Sequence, residues 1–198
     1  KKLRAVVKRN TRARRVRRAL AARGLVEAVT WSFIARAQAS HFGGGADAVE
    51  LANPISTEMS SMRPSLLAGL LASVTRNRNR GLNDVALIEL GQAYRGDKPD
   101  DQYLSAAGVR AGSATLTGSG RHWSSKAEDA GMFDAKADVF AALAALGFDA
   151  GKAQITRDCP AWYHPGRSGT LRLGPKVVLA YFGDVHPATL KAMDAEGP

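Results

Sequence analysis

Residues 53–91 read NPISTEMSSMRPSLLAGLLASVTRNRNRGLNDVALIELG, and the arrangement of the rest of the chain hangs on how they fold. Asn53-Pro54 ends a short extended segment, AVELANP. Pro64 is suited to be the first residue of a helix, because its φ is fixed and it lacks an N–H that a helix start leaves unbonded anyway. Leu66, Leu67, Leu70, Leu71 and Val74 recur at three- and four-residue intervals, the spacing of one buried helix face. Thr75 to Arg80 is a polar, basic tail, and Gly81 is a stop. DVALIELG follows as a near-continuous apolar strand, with Val85, Leu87, Glu89 and Gly91 on one face and Ala86, Ile88 and Leu90 on the other. A carboxylate inside such a strand must be paired or must sit in a solvated cavity. Arg63, just ahead of the helix, is the expected partner. Two readings of that arginine stay open: a cation gripping a phosphate, or a structural pin in a fold whose chemistry lies elsewhere.

Working upstream, TRARRVRRALAARG predicts a helix with Thr11 as N-cap and Gly24 as its left-handed terminator. VEAVTWSF alternates, so a strand buried mainly on one face is expected, with Val29, Trp31 and Phe33 on one side and Ala28, Thr30 and Ser32 on the other. HFGGGAD is a turn. Its triple glycine has no Lys-Ser/Thr pair after it and no helix start, so it reads as a flexible connection rather than a phosphate cradle. Downstream, YLSAAGVRAG is a strand and residues 112–131 a long polar connection. DAKADVFAALAALG is a helix with Asp134 as N-cap, Val139, Phe140, Leu143 and Leu146 buried, and Gly147 as terminator. TLRLGPKVVLAYFGDV is a hairpin turning at Gly174-Pro175, and HPATLKAMD is a short helix with Pro187 at its start. This order of helices and strands predicts an α+β domain, an antiparallel sheet with helices packed on it.

With 198 residues and a mass of 21.0 kDa, the chain can bury a real core. A composition of 45% hydrophobic and 23% charged residues excludes a disordered chain. The longest apolar run, VFAALAALGF, is too short for a membrane span and reads as a helix. A single cysteine, Cys159, rules out an internal disulfide and suits a reducing compartment. The net charge of +10 is concentrated: residues 1–23 hold eleven basic side chains and no acid, leaving 17 basic against 18 acidic residues elsewhere. Arg12, Arg14, Arg15, Arg17 and Arg18 could therefore form a strip facing RNA phosphates or a solvated helix face.

Signals for catalysis are sparse. His41, His122, His164 and His186 have no partners at metal-ligand spacing, and Cys159 has no second thiol nearby, so no metal site is expected. His164 and His186 each precede proline, where turn and cap roles are the common ones. No G-x-S-x-G nucleophile motif is present.

Residues 53–91 resemble the core of the β subunit of bacterial phenylalanine–tRNA ligase (phenylalanyl-tRNA synthetase). GLVEAVTWSF upstream, and MFDAKADV, HPGRSGTLRLG and YFGDVHPATLKA downstream, match the same family in the same order, so the resemblance covers essentially the whole chain. The positions that carry the pattern, with an implied structural role, are Asn53, Pro54, Ser56, Glu58, Met62, Arg63, Ser65, Glu89, Gly91, His164, Pro165, Gly166 and Arg167. The resemblance implies a class II aminoacyl-tRNA synthetase-like core, an antiparallel sheet flanked by helices and incomplete at its C-terminal end. Residues 1–10 are then expected to be the remnant of an upstream linker and residues 11–198 the core domain.

In that family the α subunit activates phenylalanine with ATP and charges the tRNA, while the corresponding β domain is a degenerate, non-catalytic copy. The implied partners are an α subunit, in αβ pairs forming a tetramer, and tRNA in the complete enzyme. The implied location is the cytoplasm, with no membrane contact. ATP and Mg belong to the complete enzyme; no catalytic, cofactor-binding or metal-binding residue is implied in this chain. The implied interface uses the first helix, the Val26–Phe33 strand and the leucine-rich helix. One departure is Tyr94-Arg95-Gly96-Asp97, placed where class II catalytic domains carry an aromatic-Arg-x-acid strand end. Read literally, Arg95 would hold an ATP phosphate, making an active adenylating domain an alternative. A basic RNA-binding module through residues 1–23 is another. Arg63 lies in the β-subunit motif, where the resemblance implies no catalytic arginine; it is expected to cap and orient the leucine helix and to pair with Glu89.

Overall fold

The computed structural model describes residues 2–114 and 128–196; most of the expected polar connection, with His122, lies outside them. The first helix, α1 (Lys2–Ala21), begins nine residues before Thr11. Nothing in residues 2–10 is glycine or proline, so no backbone break occurs there, and Thr11 is an interior residue rather than a cap. The helix passes residues 10 and 11 without interruption. Ala13, Val16 and Leu20 are buried, and Val16 and Leu20 pack with Leu25 and Ile88, with Ala142 against that cluster. Gly24, at φ +81°, ends it as expected: its N–H bonds to Ala21 O, and that of Leu25 to Leu20 O, the paired bonds of a glycine C-cap.

The expected strand over 26–33 is broken. β1 (Val26–Glu27) and β2 (Phe33–Ile34) are separated by five residues. β1 lies parallel to β4 (Val85–Tyr94), and β4 pairs antiparallel with β5 (Gln102–Ala111) along ten registered pairs, from Val85↔Ala111 to Tyr94↔Gln102. β2 pairs with β3 (Ser61–Met62). Between them come α2 (Arg36–His41), which the spacing did not signal, and two 3-10 turns, Asp47–Val49 and Thr57–Met59; of the strand expected over 48–54 there is an isolated antiparallel bridge, Glu50 to Ser61. Arg36 accounts for the first of these turns. Its guanidinium reaches Asp47 and Glu50, both at 2.5 Å, and folds the segment back on itself. The glycine turn is not merely loose either: a Cβ on Gly44 would lie 2.6 Å from Pro64 Cγ.

The leucine-rich helix, α3 (Leu67–Arg78), starts three residues after Pro64 because Ser61–Met62 is drawn into β3. Its predicted apolar face is the core: Leu66, Leu67, Leu70, Leu71 and Val74 are all buried. Around Leu67, Ala68 and Leu71 gather Ile34, Ala39, Phe42, Leu190 and Met193.

α4 (Met132–Ala145) is capped by Gly131, not Asp134; the Asp134 carboxylate accepts the Gly131 N–H at 3.0 Å from three residues further on. None of its side chains is fully buried and Leu146 is exposed, against expectation. It lies against α1 on one side and the last strand on the other, covering rather than filling the core. A separate antiparallel sheet holds β6 (Gln154–Thr156), β7 (Tyr163–Leu173) and β8 (Val177–Val185). The hairpin at Gly174-Pro175 is as predicted. α5 (Pro187–Ala192) begins at proline, with His186 Nδ1 accepting the Ala188 N–H at 3.1 Å. The α+β class therefore holds, but the expected single antiparallel sheet is three pieces, one containing a parallel pair.

One carboxylate, its side chain 12% exposed, ties three segments together. Asp138 on α4 accepts from Arg23 Nε at 2.6 Å and from Arg110 Nε at 2.7 Å and Nη2 at 3.0 Å. Arg110 also donates to the backbone oxygens of Arg23 and Ala114. Replacing Asp138 by alanine leaves two largely desolvated guanidinium groups facing each other, so urea unfolding is expected to show a loss of about 3 kcal/mol. A loss below about 1 kcal/mol would mean that water reaches the cluster freely.

Candidate functional site

The site is built where the chain crosses itself between residues 26–34, 61–66 and 85–95. Arg63 and Glu89 side chains are each 3% exposed, with Arg63 Nη1 2.8 Å from Glu89 Oε1. The same nitrogen lies 2.8 Å from Thr30 Oγ1, and Arg63 Nε donates to the Gln92 carbonyl at 2.9 Å. Thr30 completes the circuit: its hydroxyl donates to Glu89 Oε2 at 2.6 Å and its N–H to Oε1 at 3.2 Å. Main-chain bonds frame the cluster, from Arg63 N to Ser32 O and from Tyr94 N to Arg63 O, both 3.0 Å. The guanidinium thus serves strand carbonyls and a carboxylate, and does not cap α3. At that helix start it is Ser65 Oγ that accepts, from the Leu67 N–H at 3.2 Å.

Packing leaves this cluster no room for a ligand. A Cβ on Gly91 would lie 2.5 Å from Arg63 Nη2 and 3.3 Å from Leu66 Cδ2, and one on Gly69 would collide with the Thr30 hydroxyl. Arg63 and Leu66 therefore occupy the β4 face over Gly91. Arg95 does not join them: it is exposed, and its guanidinium carbon sits 4.4 Å from the centre of the Tyr103 ring. Tyr103 is itself anchored to the Pro64 carbonyl at 3.0 Å. The residues present do not form a seat for ATP. Among the described residues no three His, Cys, Asp or Glu side chains gather as a metal site would require.

Pinning Thr30 inward turns its neighbours outward, since successive side chains of an extended segment point to opposite sides. Val29 is 90% exposed and Trp31 70%, with Val26 at 65%. For Val29 and Trp31 this is the reverse of what a single buried apolar face gives, while Phe33, in β2, stays half-buried. Alternation alone cannot say which face is buried when the inward residue is polar and fully bonded. Thr30 and Gly69 were missed for the same reason; the glycine inside the leucine helix was the available signal of a close approach.

The remaining motif residues are dispersed. Asn53, Pro54, Ser56 and Glu58 are exposed on a loop whose Ile55 is 90% exposed. Met62 lies in β3, where it pairs with Phe33. His164, Pro165, Gly166 and Arg167 form an irregular stretch of β7. There His164 Nδ1 accepts the Gly166 N–H at 3.1 Å, its ring stacks on His186 with centres 6.3 Å apart, and Arg167 pairs with Asp184 at 2.7 Å. Beside it, burial raises the Tyr163 phenol well above its ordinary pKa, so it stays neutral. An open groove of about 510 Å³ near the β7–β8 turn is distant in the chain from the cluster and is lined by a pair of its own, Arg172 with Asp158. There the Thr156 hydroxyl, and then Arg172, hold the Asp158 carboxyl below the usual carboxylate range.

On α1, Arg12, Arg14, Arg15 and Arg18 are exposed, whereas Arg17 Nε is bound to Glu27 Oε1 at 2.5 Å. The five arginines singled out together are therefore not equivalent. No helix among the described residues is long and apolar enough to cross a membrane.

Arg63→Ala is expected to destabilise the fold by about 3–5 kcal/mol, because Glu89 would be left buried and unpaired. The double replacement Arg63→Met, Glu89→Leu should recover most of that loss. Denaturation of the parent and of these two variants tests this; equal losses for the single and double variants would show that the ion pair is not what Glu89 requires.

Comparison with known proteins gives a consistent set of matches. The family described as phenylalanyl tRNA synthetase beta chain CLM domain matches residues 3–198. The chain is 54% identical over 187 residues to the phenylalanine–tRNA ligase beta subunit of Bradyrhizobium diazoefficiens. It is 56% identical over 186 residues to that of Brucella abortus. Each match covers 94% of this chain and 23% of the relative, so the chain spans about a quarter of the length of these proteins. Among solved structures, a pyrrolysyl tRNA synthetase from Desulfitobacterium hafniense superposes with a TM-score of 0.65 at 15% identity, over 94% of this chain and 62% of that one. That likeness concerns the fold alone.

Proposed function

The chain belongs to the phenylalanyl-tRNA synthetase beta chain CLM domain family, and from that premise we propose that it is a structural, non-catalytic class II-like core whose role is to hold the α subunit of phenylalanine–tRNA ligase. The single observation that carries this reading is the outward display of Val29 and Trp31 on either side of the pinned Thr30. Exposed aromatic and aliphatic side chains on a rigid support are what a protein partner buries. The filled β4 face supports the non-catalytic part: Arg63, Glu89 and Leu66 occupy it, and Arg95 is stacked on Tyr103.

The complete enzyme, in this reading, uses ATP and Mg²⁺ to charge tRNA with phenylalanine in the cytoplasm. Its αβ pairs assemble into a tetramer. Residues 26–31 form the apolar part of the α-binding surface. The apolar face of the leucine-rich helix is already in the core of this chain, so what that helix adds to the contact comes from its other faces.

Sizing-column light scattering with the cognate α subunit tests the proposal. A stable complex is expected, and Trp31→Ala together with Val29→Ser should weaken it by about tenfold or more without lowering the melting temperature of the chain. A monodisperse monomer that ignores α would falsify it. The chain alone is expected to give no phenylalanine-dependent ATP–pyrophosphate exchange; measurable exchange, lost in Arg95→Ala, would establish an active adenylating domain instead.

A further inference from the structure

One part of β7 leaves the sheet. Tyr163 pairs with Val185 and Ser168 with Gly183, so His164, Pro165, Gly166 and Arg167 stand opposite Asp184 alone. A bulge of that size is an outward loop rather than a kink in the strand. Gly183 makes room at its base: its φ is +139°, and a Cβ there would strike Arg167 O and Ser168 Cα. Within the loop the Ser168 hydroxyl donates to His164 O at 2.7 Å, and His164 Nδ1 accepts the Gly166 N–H at 3.1 Å. Beside it His186 Nδ1 accepts the Ala188 N–H, also at 3.1 Å, and the two rings stack with centres 6.3 Å apart.

Those two bonds fix the chemistry of the rings. A neutral imidazole whose Nδ1 accepts a hydrogen bond carries its proton on Nε2. Each ring therefore presents an Nε2–H that has no acceptor among the described residues and reaches solvent. Arg167 adds further donors. Its Nε lies 2.7 Å from Asp184 Oδ2, its terminal nitrogens have no partner among the described residues, and its side chain is 51% exposed. Packing alone asks for none of these outward N–H groups.

We propose that the His164–Arg167 loop, together with His186, binds an oxyanion of the phosphate class through the two Nε2–H groups and the free end of the Arg167 guanidinium. A metal does not suit them, since a ligating nitrogen must be unprotonated and both Nδ1 lone pairs are already engaged. Asp184 offsets much of the arginine's charge, so recognition falls to hydrogen bonds rather than to a strong field. Donors on three separate side chains match a tetrahedral group with several oxygens. A planar carboxylate is satisfied by one guanidinium fork. Free phosphate, a nucleotide and an RNA backbone all offer this chemistry.

Asparagine separates binding from turn formation, because its Oδ1 accepts where Nδ1 does and nothing takes the place of Nε2. The double variant His164→Asn, His186→Asn should melt with the parent. Arg167→Lys keeps a cation beside Asp184 and removes the free fork. Inorganic phosphate is titrated at constant pH and ionic strength, with the imidazole nitrogens and the Gly166 amide followed by proton–nitrogen NMR. The parent should show saturable shifts of both Nε2 signals at about 1–10 mM phosphate, and none with acetate. Both variants should bind at least about tenfold more weakly. Adenosine 5′-monophosphate and tRNA then identify the source. The same shifts at far lower tRNA concentration support an RNA backbone as the ligand, and shifts with the small phosphates alone support a phosphate ester. Unmoved Nε2 signals with all three probes, acetate acting as phosphate does, or parental affinity in the asparagine variant overturns the assignment. If that variant does not fold, parental affinity in Arg167→Lys overturns it instead.

Discussion

Glu89 is a carboxylate in the middle of a central strand, and the layout of the first half of the chain follows from keeping it ionised and satisfied. Its oxygens are met by Arg63 from the approach to α3 and by Thr30 from the link between β1 and β2. Three segments far apart in sequence are thereby fixed at one point. Breaking such a pair is costly because it strands a desolvated charge, whereas exchanging both partners for apolar groups can be nearly neutral. The cluster is thus better understood as specifying which segments meet than as a large net source of stability. It makes the strand over 26–34 break, and it determines which of that segment's side chains are left outside.

Much of this was legible in the sequence where local chemistry decides. The leucine face of α3, the glycine ends at Gly24, Gly81 and Gly147, the long strands β4 and β5, the β7–β8 turn and the proline-started α5 all follow from spacing and from residues with restricted φ. Arg63–Glu89 was legible too, because a lone charge in an apolar strand demands a partner. What failed was whatever depends on tertiary pairing. Residues 48–54 have strand composition, but Arg36 draws Asp47 and Glu50 into a turn. Val29 and Trp31 satisfy an alternation rule for burial, but a bonded threonine outcompeted them for the inside. α4 looked like a core helix from its alanines and leucines, yet it is a cover, half-buried along its length.

The surface that results is divided in character. Val26, Val29 and Trp31 are exposed in and beside β1, and on α1 the guanidinium groups of Arg12, Arg14, Arg15 and Arg18 are exposed. Neither part is explained by the needs of the folded monomer, since the core is complete without them.

The cluster also constrains how this sequence can change over evolutionary time. Thr30, Arg63 and Glu89 are bonded to one another, while Gly69 and Gly91 are the two places where any side chain would strike Thr30 or Arg63. These five positions, spread over 62 residues of chain, behave as one unit of inheritance. A replacement of Arg63 or Glu89 alone leaves a buried charge and one of Gly69 or Gly91 makes a collision, so at these four positions neutral drift has few one-step exits from the present arrangement. Only a coordinated exchange, such as an apolar pair for Arg63 and Glu89, leads to another viable sequence. Homologues should therefore fall into discrete sets at these positions, with few sequences lying between them.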